Sequence, residues 1–331
     1  MRLLVTGGTG FLGNNLVRQL CVRGDSVRVL VRNPHSPTNV AALANLQVEV
    51  CEGDVVDSDA VDRASRDMQG VIHAAANVHI GWTQTDPQLA CNVEGTRNIA
   101  SAALKYGAKL VHVSTINALA LPLNGTPAHE ETQRNGSNHM PDIGYVRSKV
   151  AAEEVILEQV ERGLHATIVN PGFMFGPWDW KPTSGRMLLE VGQRFVPFAP
   201  SGGCSVCDVR DVASGILAAL DCGQPGRRYI LGGENLSYFD LWSIIAKVAN
   251  KRRPWMRADP RMRWIAGTYG NLRAKFSGRE SDINSAAIAM SSVSHFYRSD
   301  RAHHELGYHS RPIEESLRDA WSWFQEHGYR K

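Results

Sequence analysis

A glycine-rich segment near the start of the chain constrains the fold more than any other feature. Residues 6–13 read TGGTGFLG and lie between a short apolar run and a segment whose apolar residues recur at helical spacing. Gly7 and Gly10 permit a tight turn and a close approach to a pyrophosphate, and Gly13 lets the helix pack closely on the strand. Free N–H groups at the helix N-terminus would bind the phosphates. The segment predicts a dinucleotide-binding loop, with a simple strand-to-helix turn as the alternative.

Beyond this loop, the first 170 residues alternate short apolar runs with longer amphipathic segments. This alternation is typical of a parallel sheet with crossover helices. Strands are predicted over residues 2–6, 26–31, 47–51, 70–73, 109–114 and 165–169. Helices are predicted from residue 12 to a stop at Gly24, over 87–106 with a C-cap at Gly107, and over 150–160. The predicted fold class is α/β, a Rossmann-type doubly wound parallel sheet.

The pattern changes after Pro171, where prolines and tryptophans interrupt the alternation. Strands are predicted over 204–209 and 228–231, and helices over 212–220, 238–249 and 313–327. We therefore expect a dinucleotide-binding domain over residues 1–170, to which later segments contribute. Residues 171–331 are expected to form mainly a smaller, interleaved substrate-binding lobe.

Composition excludes several classes of protein. Hydrophobic residues make up 43% and charged residues 21%, as in ordinary globular chains. The 36 basic and 33 acidic residues leave a formal charge of +3, too small to predict a nucleic-acid partner. The six cysteines are scattered and form no disulfide framework. Because the chain also shows no signal peptide and no membrane-spanning apolar run, we expect a cytoplasmic protein with a small-molecule substrate.

The ends of the second and third predicted strands bear on cofactor choice. An NAD enzyme normally places a carboxylate after the second strand to bind the ribose hydroxyls. Here Arg32 follows that strand, and a cation there suits a 2′-phosphate, with Thr9 as a further donor. The sequence thus favours NADP over NAD, although a solvated arginine is the alternative. After the third strand come Asp54 and Val55, where a carboxylate can bind the adenine amino group or cap a helix.

A phenol, an ammonium and a neighbouring hydroxyl form a candidate proton-transfer group. Tyr145 and Lys149 are four residues apart and directly precede the helix predicted over 150–160, so we expect both to project from one face. A nearby ammonium lowers the pKa of a phenol, so Tyr145 would exchange a proton with a carbonyl or alcohol near neutral pH. Ser114 and Thr115 end the strand predicted at 109–114, where open sheets bind ligands.

With these motifs the chain resembles the extended short-chain dehydrogenase/reductase family, also called the NAD-dependent epimerase/dehydratase family, over nearly its whole length. The motifs are residues 6–13, 53–54, 73–76, 92–96, 114–115, 145–149 and 170–177. The nearest likeness is to the dihydroflavonol-reductase-like and hydroxysteroid-dehydrogenase-like branch, through residues 30–32 and 170–177. Residues 176–183 also resemble bacterial hopanoid-associated sugar epimerases, which implies a different substrate.

The resemblance implies a role for each matched position. Tyr145 corresponds to the acid/base, Lys149 to its pKa-lowering partner and ribose anchor, and Thr115 to the hydroxyl that positions the substrate. Residues 74–76 would pass beside the pyrophosphate, Asn92 would hydrogen-bond across the cofactor pocket, and residues 171–173 would border the nicotinamide. The full set of expected cofactor contacts is Gly7, Thr9, Gly10, Phe11, Leu12, Arg32, Asp54, Val55, Ala74, Ala75, Ala76, Asn92, Ser114, Tyr145, Lys149, Pro171, Gly172 and Phe173.

These features predict an NAD(P)-dependent oxidoreductase that moves a hydride between a nicotinamide and a carbonyl or alcohol. Dehydratases of the family follow the active-site threonine with an acidic pair, whereas Thr115 is followed here by Ile116 and Asn117. A sugar-nucleotide epimerase with retained NAD is the first alternative. A regulatory protein that binds NADP without catalysis is the second.

Substrate and partners are less constrained by the sequence. Trp82, Trp178 and Arg186, together with Thr115, are candidate substrate contacts. A homodimer is expected through the helices that contain residues 92–106 and 145–161. The basic, aromatic segment 251–279 is interpreted as the solvated face of a lid helix in preference to a membrane-surface contact.

No metal site is expected. Cys204 and Cys207 have half of a zinc-site spacing, but no second pair completes four ligands. His303, His304 and His309 are equally incomplete as a ligand set.

Overall fold

A sheet of seven parallel strands forms the centre of the chain in the computed structural model, which describes residues 1–123, 125–133, 138, 140–259, 262 and 284–329. The strands are β1 (Arg2–Thr6), β2 (Ser26–Val31), β3 (Val48–Glu52), β4 (Gly70–His73), β5 (Lys109–Val113), β6 (Ala166–Pro171) and β10 (Arg228–Leu231). Their order is β10-β6-β5-β4-β1-β2-β3. The connections change direction between β1 and β4, and ligands bind at the carboxyl ends of strands beside such a point. The predicted doubly wound α/β fold is confirmed.

The strand predictions match the structure within two residues. Four strands, β1, β2, β4 and β10, have the predicted bounds. β3 is shifted by one residue, and β5 ends one residue earlier than predicted. β6 starts one residue late and continues to Pro171, because β10 pairs with it there. Leu231 lies opposite Pro171 and accepts a hydrogen bond of 3.0 Å from the backbone N–H of Gly172.

Helices cover both faces of the sheet and form an apolar core with each. Successive side chains of a strand point to opposite faces, so Leu3 packs in one core with Leu16, and Leu4 packs in the other with Ile99. The helices of this part are α1 (Phe11–Arg23), α2 (Pro37–Leu43), α3 (Ser58–Ser65), α4 (Thr85–Leu89), α5 (Gly95–Tyr106), α6 (Gly144–Glu161) and α8 (Val209–Cys222).

The helix predicted over 87–106 is present but is not uniform. A π-helical turn, Ala90–Glu94, separates α4 from α5 and contains Asn92. Such turns are frequent at functional sites. The predicted stops are confirmed, because Gly24 and Gly107 follow α1 and α5 with φ of 84° and 66°, the left-handed conformation that glycine adopts easily.

The chain beyond Pro171 forms a second, smaller sheet, in which β9 (Gly203–Asp208) pairs with β7 (Phe173–Phe175), β11 (Glu234–Ser237) and β13 (Ser294–His295). The predicted helix start at residue 212 is three residues late, because the carboxylate of Asp208 accepts the backbone N–H of Arg210 at 2.7 Å and caps α8 at Val209. The elements are β7 (Phe173–Phe175), α7 (Gly185–Gln193), β8 (Phe198–Ala199), β9 (Gly203–Asp208), β11 (Glu234–Ser237), α9 (Tyr238–Val248), β12 (Met256–Arg257), α10 (Ser285–Ser292), β13 (Ser294–His295), α11 (Asp300–Leu306) and α12 (Ile313–Glu326).

Two segments beyond residue 170 return to the main sheet. β10 adds the last strand beside β6, and α8 packs against α1. The main sheet and its helices are therefore completed by residues that come later in the chain than β7 and β9 of the smaller sheet.

The basic, aromatic segment at 251–279 is described only in part. Residues 260, 261 and 263–279 lie outside the described residues. In the described portion, β12 pairs with β8, and Trp255 is 67% exposed. No helix in the described part of the chain is both long and apolar enough to span a membrane.

The start of α1 contacts the glycine-rich loop directly through backbone atoms. A Cβ at Gly13 would lie 2.1 Å from the carbonyl oxygen of Gly7 and 2.9 Å from the Cα of Gly8. Backbone atoms cannot rotate away as a flexible side chain can. Gly13 was predicted to let the helix pack closely on the strand, and the structure places this close contact on the loop that directly follows β1.

We expect Gly13→Ala to lower the free energy of unfolding by about 1–3 kcal/mol, because the added methyl group overpacks this contact. Helix propensity alone would predict a gain of about 1 kcal/mol. Urea denaturation measures the difference. As a control, Val22→Ala on the same helix should change stability by less than about 0.5 kcal/mol, since Val22 is 90% exposed. A Gly13→Ala variant as stable as the control would contradict the packing argument.

Candidate active site

The glycine-rich loop forms a cradle at the carboxyl end of β1. Gly7 has φ of +72°, and a Cβ there would lie 2.7 Å from the backbone carbon of Ala74. No side chain caps α1 at Gly10, and the first turn carries no acidic residue. The first N–H groups of α1 are thus left to water or to an anionic ligand. These properties fit the pyrophosphate of a dinucleotide.

The other predicted cofactor contacts near the loop are of two kinds: some lie beside the cradle, and some have side chains in the apolar cores. Thr9, Phe11 and residues 74–76 are half-buried beside the loop. By contrast, the side chains of Leu12 and Val55 are buried in the two cores. Any contact of Leu12 or Val55 with a cofactor would therefore involve their backbone atoms.

Arg32 and Asp54 lie next to each other at the ends of β2 and β3. The guanidinium Nη1 of Arg32 is 3.9 Å from Oδ2 of Asp54, and the Arg32 side chain is 75% exposed. The alternative role of Asp54 as a helix cap is wrong, because Asp57 caps α3 by accepting the N–H groups of Asp59 and Ala60. Asp54 instead accepts the backbone N–H of Val56 at 3.2 Å.

The structure brings the three predicted proton-transfer residues together at the carboxyl end of β5. Thr115 follows β5, and its hydroxyl lies near enough to the phenol of Tyr145, in the first turn of α6, to influence the pKa of that phenol. Lys149 lies one turn further along α6, and its Nζ donates to the carbonyl oxygen of Val113 at 2.8 Å. All three side chains are buried, with 7%, 7% and 4% exposed for Thr115, Tyr145 and Lys149.

Burial dominates the proton affinities of this group. It raises the pKa of Tyr145 above its usual value of 10, and the nearby hydroxyl of Thr115 opposes that rise. It lowers the pKa of Lys149 to about 8, against the opposing effects of Cys91 and Glu153. The pKa of Tyr145 is thus shifted in the direction opposite to that expected from its spacing with Lys149, because loss of water around the phenol raises the pKa and the ammonium is not among the groups that oppose the rise.

Asn92 connects the loop after β4 to α6. Its Nδ2 donates to the carbonyl oxygen of Asn77 at 3.1 Å and to Oγ of Ser148 at 2.9 Å, and its Oδ1 accepts the N–H of Asn77 at 2.7 Å. Ser148 in turn donates to the carbonyl oxygen of Tyr145 at 2.9 Å. Asn92 therefore fixes the start of α6 against the loop that follows β4.

A buried carboxylate that the sequence analysis did not single out lies behind the proton-transfer group. Glu153 is 2% exposed, and its Oε1 accepts hydrogen bonds from Ser114 at 2.5 Å and Asn170 at 2.7 Å. Its Oε2 lies 2.6 Å from Nε of Arg228 on β10. The hydroxyl of Ser114 thus binds Glu153, whereas it was expected to line the cofactor site. The four-residue spacing of Tyr145, Lys149 and Glu153 is the signal that marks this face of α6.

The segment at residues 171–173 links the two sheets. Gly172 is held by the hydrogen bond to Leu231, and a Cβ on it would lie 2.6 Å from the carbonyl oxygen of Ser205. Phe173 begins β7 and pairs with Val206 of β9. Pro171 ends β6 at the same sheet edge as Thr115, the position from which it would border a nicotinamide.

The three candidate substrate residues lie in different surroundings. The indole Nε1 of Trp82 donates to Oγ of Ser285 at 2.7 Å, and Trp82 is 53% exposed. Trp178 packs its ring under the guanidinium of Arg18, 3.4 Å from the ring centroid. Arg186 is exposed in the first turn of α7.

The described residues contain no group of three or more side chains that could hold a metal ion. Cys204 and Cys207 are buried on β9, and burial raises the pKa of Cys204 to about 12. Such thiols remain protonated at neutral pH and pack as small apolar groups.

Comparison with known proteins identifies the family. The model of the NAD dependent epimerase/dehydratase family matches residues 3–232. A putative dihydroflavonol 4-reductase from Synechocystis sp. is 35% identical over 99% of this chain and 95% of that protein. Sterol demethylase protein B from Methylococcus capsulatus is 33% identical over 99% of both chains. Among solved structures, the crystal structure of gox2253 is 35% identical, with a TM-score of 0.85 over 99% of both chains. The resemblance inferred from the motifs is confirmed, and the chain belongs to the NAD-dependent epimerase/dehydratase family.

Proposed function

We propose that the protein is an NADP-dependent oxidoreductase that reduces a carbonyl group on an apolar, ring-bearing substrate. The observation that carries this proposal is that the buried side chains of Thr115, Tyr145 and Lys149 lie together at the carboxyl end of β5, with Lys149 one helical turn from Tyr145. A phenol and a hydroxyl placed together in this way can bind one carbonyl oxygen between them.

The residues of the chain would control the proton and the orientation of the substrate. The nicotinamide, when bound, supplies the hydride. Thr115 holds the carbonyl oxygen of the substrate against Tyr145, and the phenol of Tyr145 donates its proton to that oxygen. Lys149 keeps a positive charge near the developing negative charge and anchors the ribose. Fixed donors in a site with little water stabilise such charge strongly.

The proton affinity of Tyr145 supports its role as the proton donor in reduction. Burial raises the pKa of Tyr145, so the phenol carries its proton at neutral pH. A protonated phenol is the form that donates to a carbonyl oxygen, whereas oxidation of an alcohol requires the phenolate.

Apolar side chains around Tyr145 support an apolar substrate. Tyr145 belongs to a cluster with Leu121, Ile143 and Met290, against which Ile80 packs. A dihydroflavonol and a sterol, the compounds that appear in the names of the two relatives, are both ring systems. The absence of an acidic pair after Thr115 argues against a dehydratase.

We expect Tyr145→Phe to lower turnover by about 10²–10⁴-fold, since it removes the proton donor, while NADPH still binds. NADPH oxidation with a panel of ring-bearing ketones measures turnover, and fluorescence titration measures binding. Tyr106→Phe is the matched control. Tyr106 is the last residue of α5, and its hydroxyl donates to Asp62 of α3, away from the proposed site. Undiminished turnover in Tyr145→Phe would contradict the mechanism. NAD retained through purification would instead favour the epimerase.

The low pKa of Lys149 predicts a pH dependence of stability. The folded chain releases the Lys149 proton at about pH 8, whereas the unfolded chain keeps it until about pH 10.4. In this interval the unfolded state binds more protons, so the free energy of unfolding rises with pH. We expect this residue to contribute a rise of about 2 kcal/mol between about pH 8 and pH 10. Urea denaturation of wild type and Lys149→Met measures it, and the variant should lack this contribution. Identical pH profiles would show that Lys149 is not buried as described.

A further inference from the structure

Lys181 lies beside the turn that follows β2, although it comes from the loop before α7. Its Nζ donates to Oδ1 of Asn39 at 2.7 Å. Nδ2 of Asn39 donates to the carbonyl oxygen of Asn33 at 2.7 Å, and Asn39 is 7% exposed. Two hydrogen bonds through one buried side chain therefore connect the ammonium of Lys181 to the residue next to Arg32.

The loop that carries Lys181 is fixed on both sides. The carbonyl oxygen of Pro177 accepts Nδ2 of Asn15 at 3.1 Å, and the ring of Trp178 lies under Arg18. On the other side, Oδ2 of Asp179 accepts the N–H of Gly185 at the start of α7, at 3.2 Å. Because these contacts hold the loop against α1 and α7, the position of Lys181 near Arg32 is built into the fold.

The charges at this place do not balance without an anion. Arg32 is paired with Asp54 at 3.9 Å, so these two groups together are formally neutral. Lys181 adds one positive charge, and no ion pair neutralises it within the described residues. The pKa of Lys181 is lowered, mainly by burial and further by the charge of Arg32, so the two cations affect each other. A dianionic group bound between them would relieve that repulsion.

We propose that Lys181 and Arg32 together bind the 2′-phosphate of NADP, and that Lys181 determines the preference for NADP over NAD. The inference rests on the proposed function, because it assumes that NADP is the cofactor. Arg32 and Lys181 are both exposed, and solvent and salt screen surface charges, so Arg32, whose charge is already paired with Asp54, would not discriminate strongly without the second cation. The Lys181 ammonium has three donors and makes one hydrogen bond within the described part of the chain, which leaves donors for phosphate oxygens.

Binding measurements on the full chain test the assignment. Fluorescence titration gives the Kd of NADPH and NADH for wild type, Lys181→Gln and Lys181→Arg. We expect Lys181→Gln to weaken NADPH by about tenfold, the value of one charged hydrogen bond, and to leave NADH nearly unchanged. Lys181→Arg should retain the preference. Lys109→Gln is the control, because the ammonium of Lys109 also donates to neutral oxygens, the backbone carbonyls of Leu220 and Asp221, but Lys109 is the first residue of β5 and so lies at the amino ends of the strands.

Two mononucleotides locate the effect on the cofactor. Displacement titrations with 2′-AMP and 5′-AMP compare one phosphate at two positions of the same nucleoside. Weaker binding of 2′-AMP alone in Lys181→Gln would support the proposal. An equal loss for both nucleotides, or no loss, in a chain whose wild type prefers NADPH would overturn the role of Lys181. A wild type that prefers NADH would overturn the NADP assignment itself, and the role of Lys181 with it.

Discussion

The buried carboxylate of Glu153 connects the helix of the proposed acid/base to the sheet. Ser114 and Asn170 donate to one of its oxygens and Arg228 to the other, so β5, β6 and β10 all meet the same turn of α6. A buried charge is stable only when it is paired and hydrogen-bonded, and removal of one partner costs about 3–5 kcal/mol. The three strands therefore cannot shift independently of α6. Since Tyr145 lies two turns before Glu153 on that helix, the geometry of the proposed proton transfer depends on this one carboxylate.

The sequence predicted the cofactor half of the fold well because its determinants are local. Strands in a parallel sheet are buried on both faces and read as short apolar runs. The glycine-rich loop has a steric requirement that is visible in the residues themselves, and Gly13 meets it through contact with Gly7, only six positions away. Gly24 and Gly107 ended their helices as predicted because a left-handed residue is a local property. The family motifs then placed Thr115, Tyr145 and Lys149 together.

What the sequence missed depends on contacts between distant residues or on burial. The spacing of Tyr145, Lys149 and Glu153 marks one helix face, but the partner on β10 is set by the return of the chain to the sheet after residue 222. The direction of the Tyr145 pKa was mistaken for a related reason. A neighbouring charge can be read from spacing, whereas desolvation depends on the side chains that surround the phenol in three dimensions. Leu12 and Val55 lie within or beside binding motifs, yet their apolar side chains pack into the cores.

In the proposed site, the preference for NADP over NAD would depend on the net charge around the 2′-phosphate of the cofactor and not on one residue. Arg32 follows β2 as a 2′-phosphate site requires, but its neighbour Asp54 cancels that charge at 3.9 Å. The excess cation is Lys181, in the loop between β7 and α7. This loop follows β6 and β7, and β6 ends at the carboxyl edge of the sheet beside Thr115. The same loop reaches α2 through the hydrogen bond of Lys181 with Asn39. One connection therefore links the place proposed for the nicotinamide to the place proposed for the 2′-phosphate. Trp178, packed under Arg18, fixes this loop to α1. Changes in the loop that alter the proposed substrate pocket should therefore also alter the charge around the proposed 2′-phosphate site.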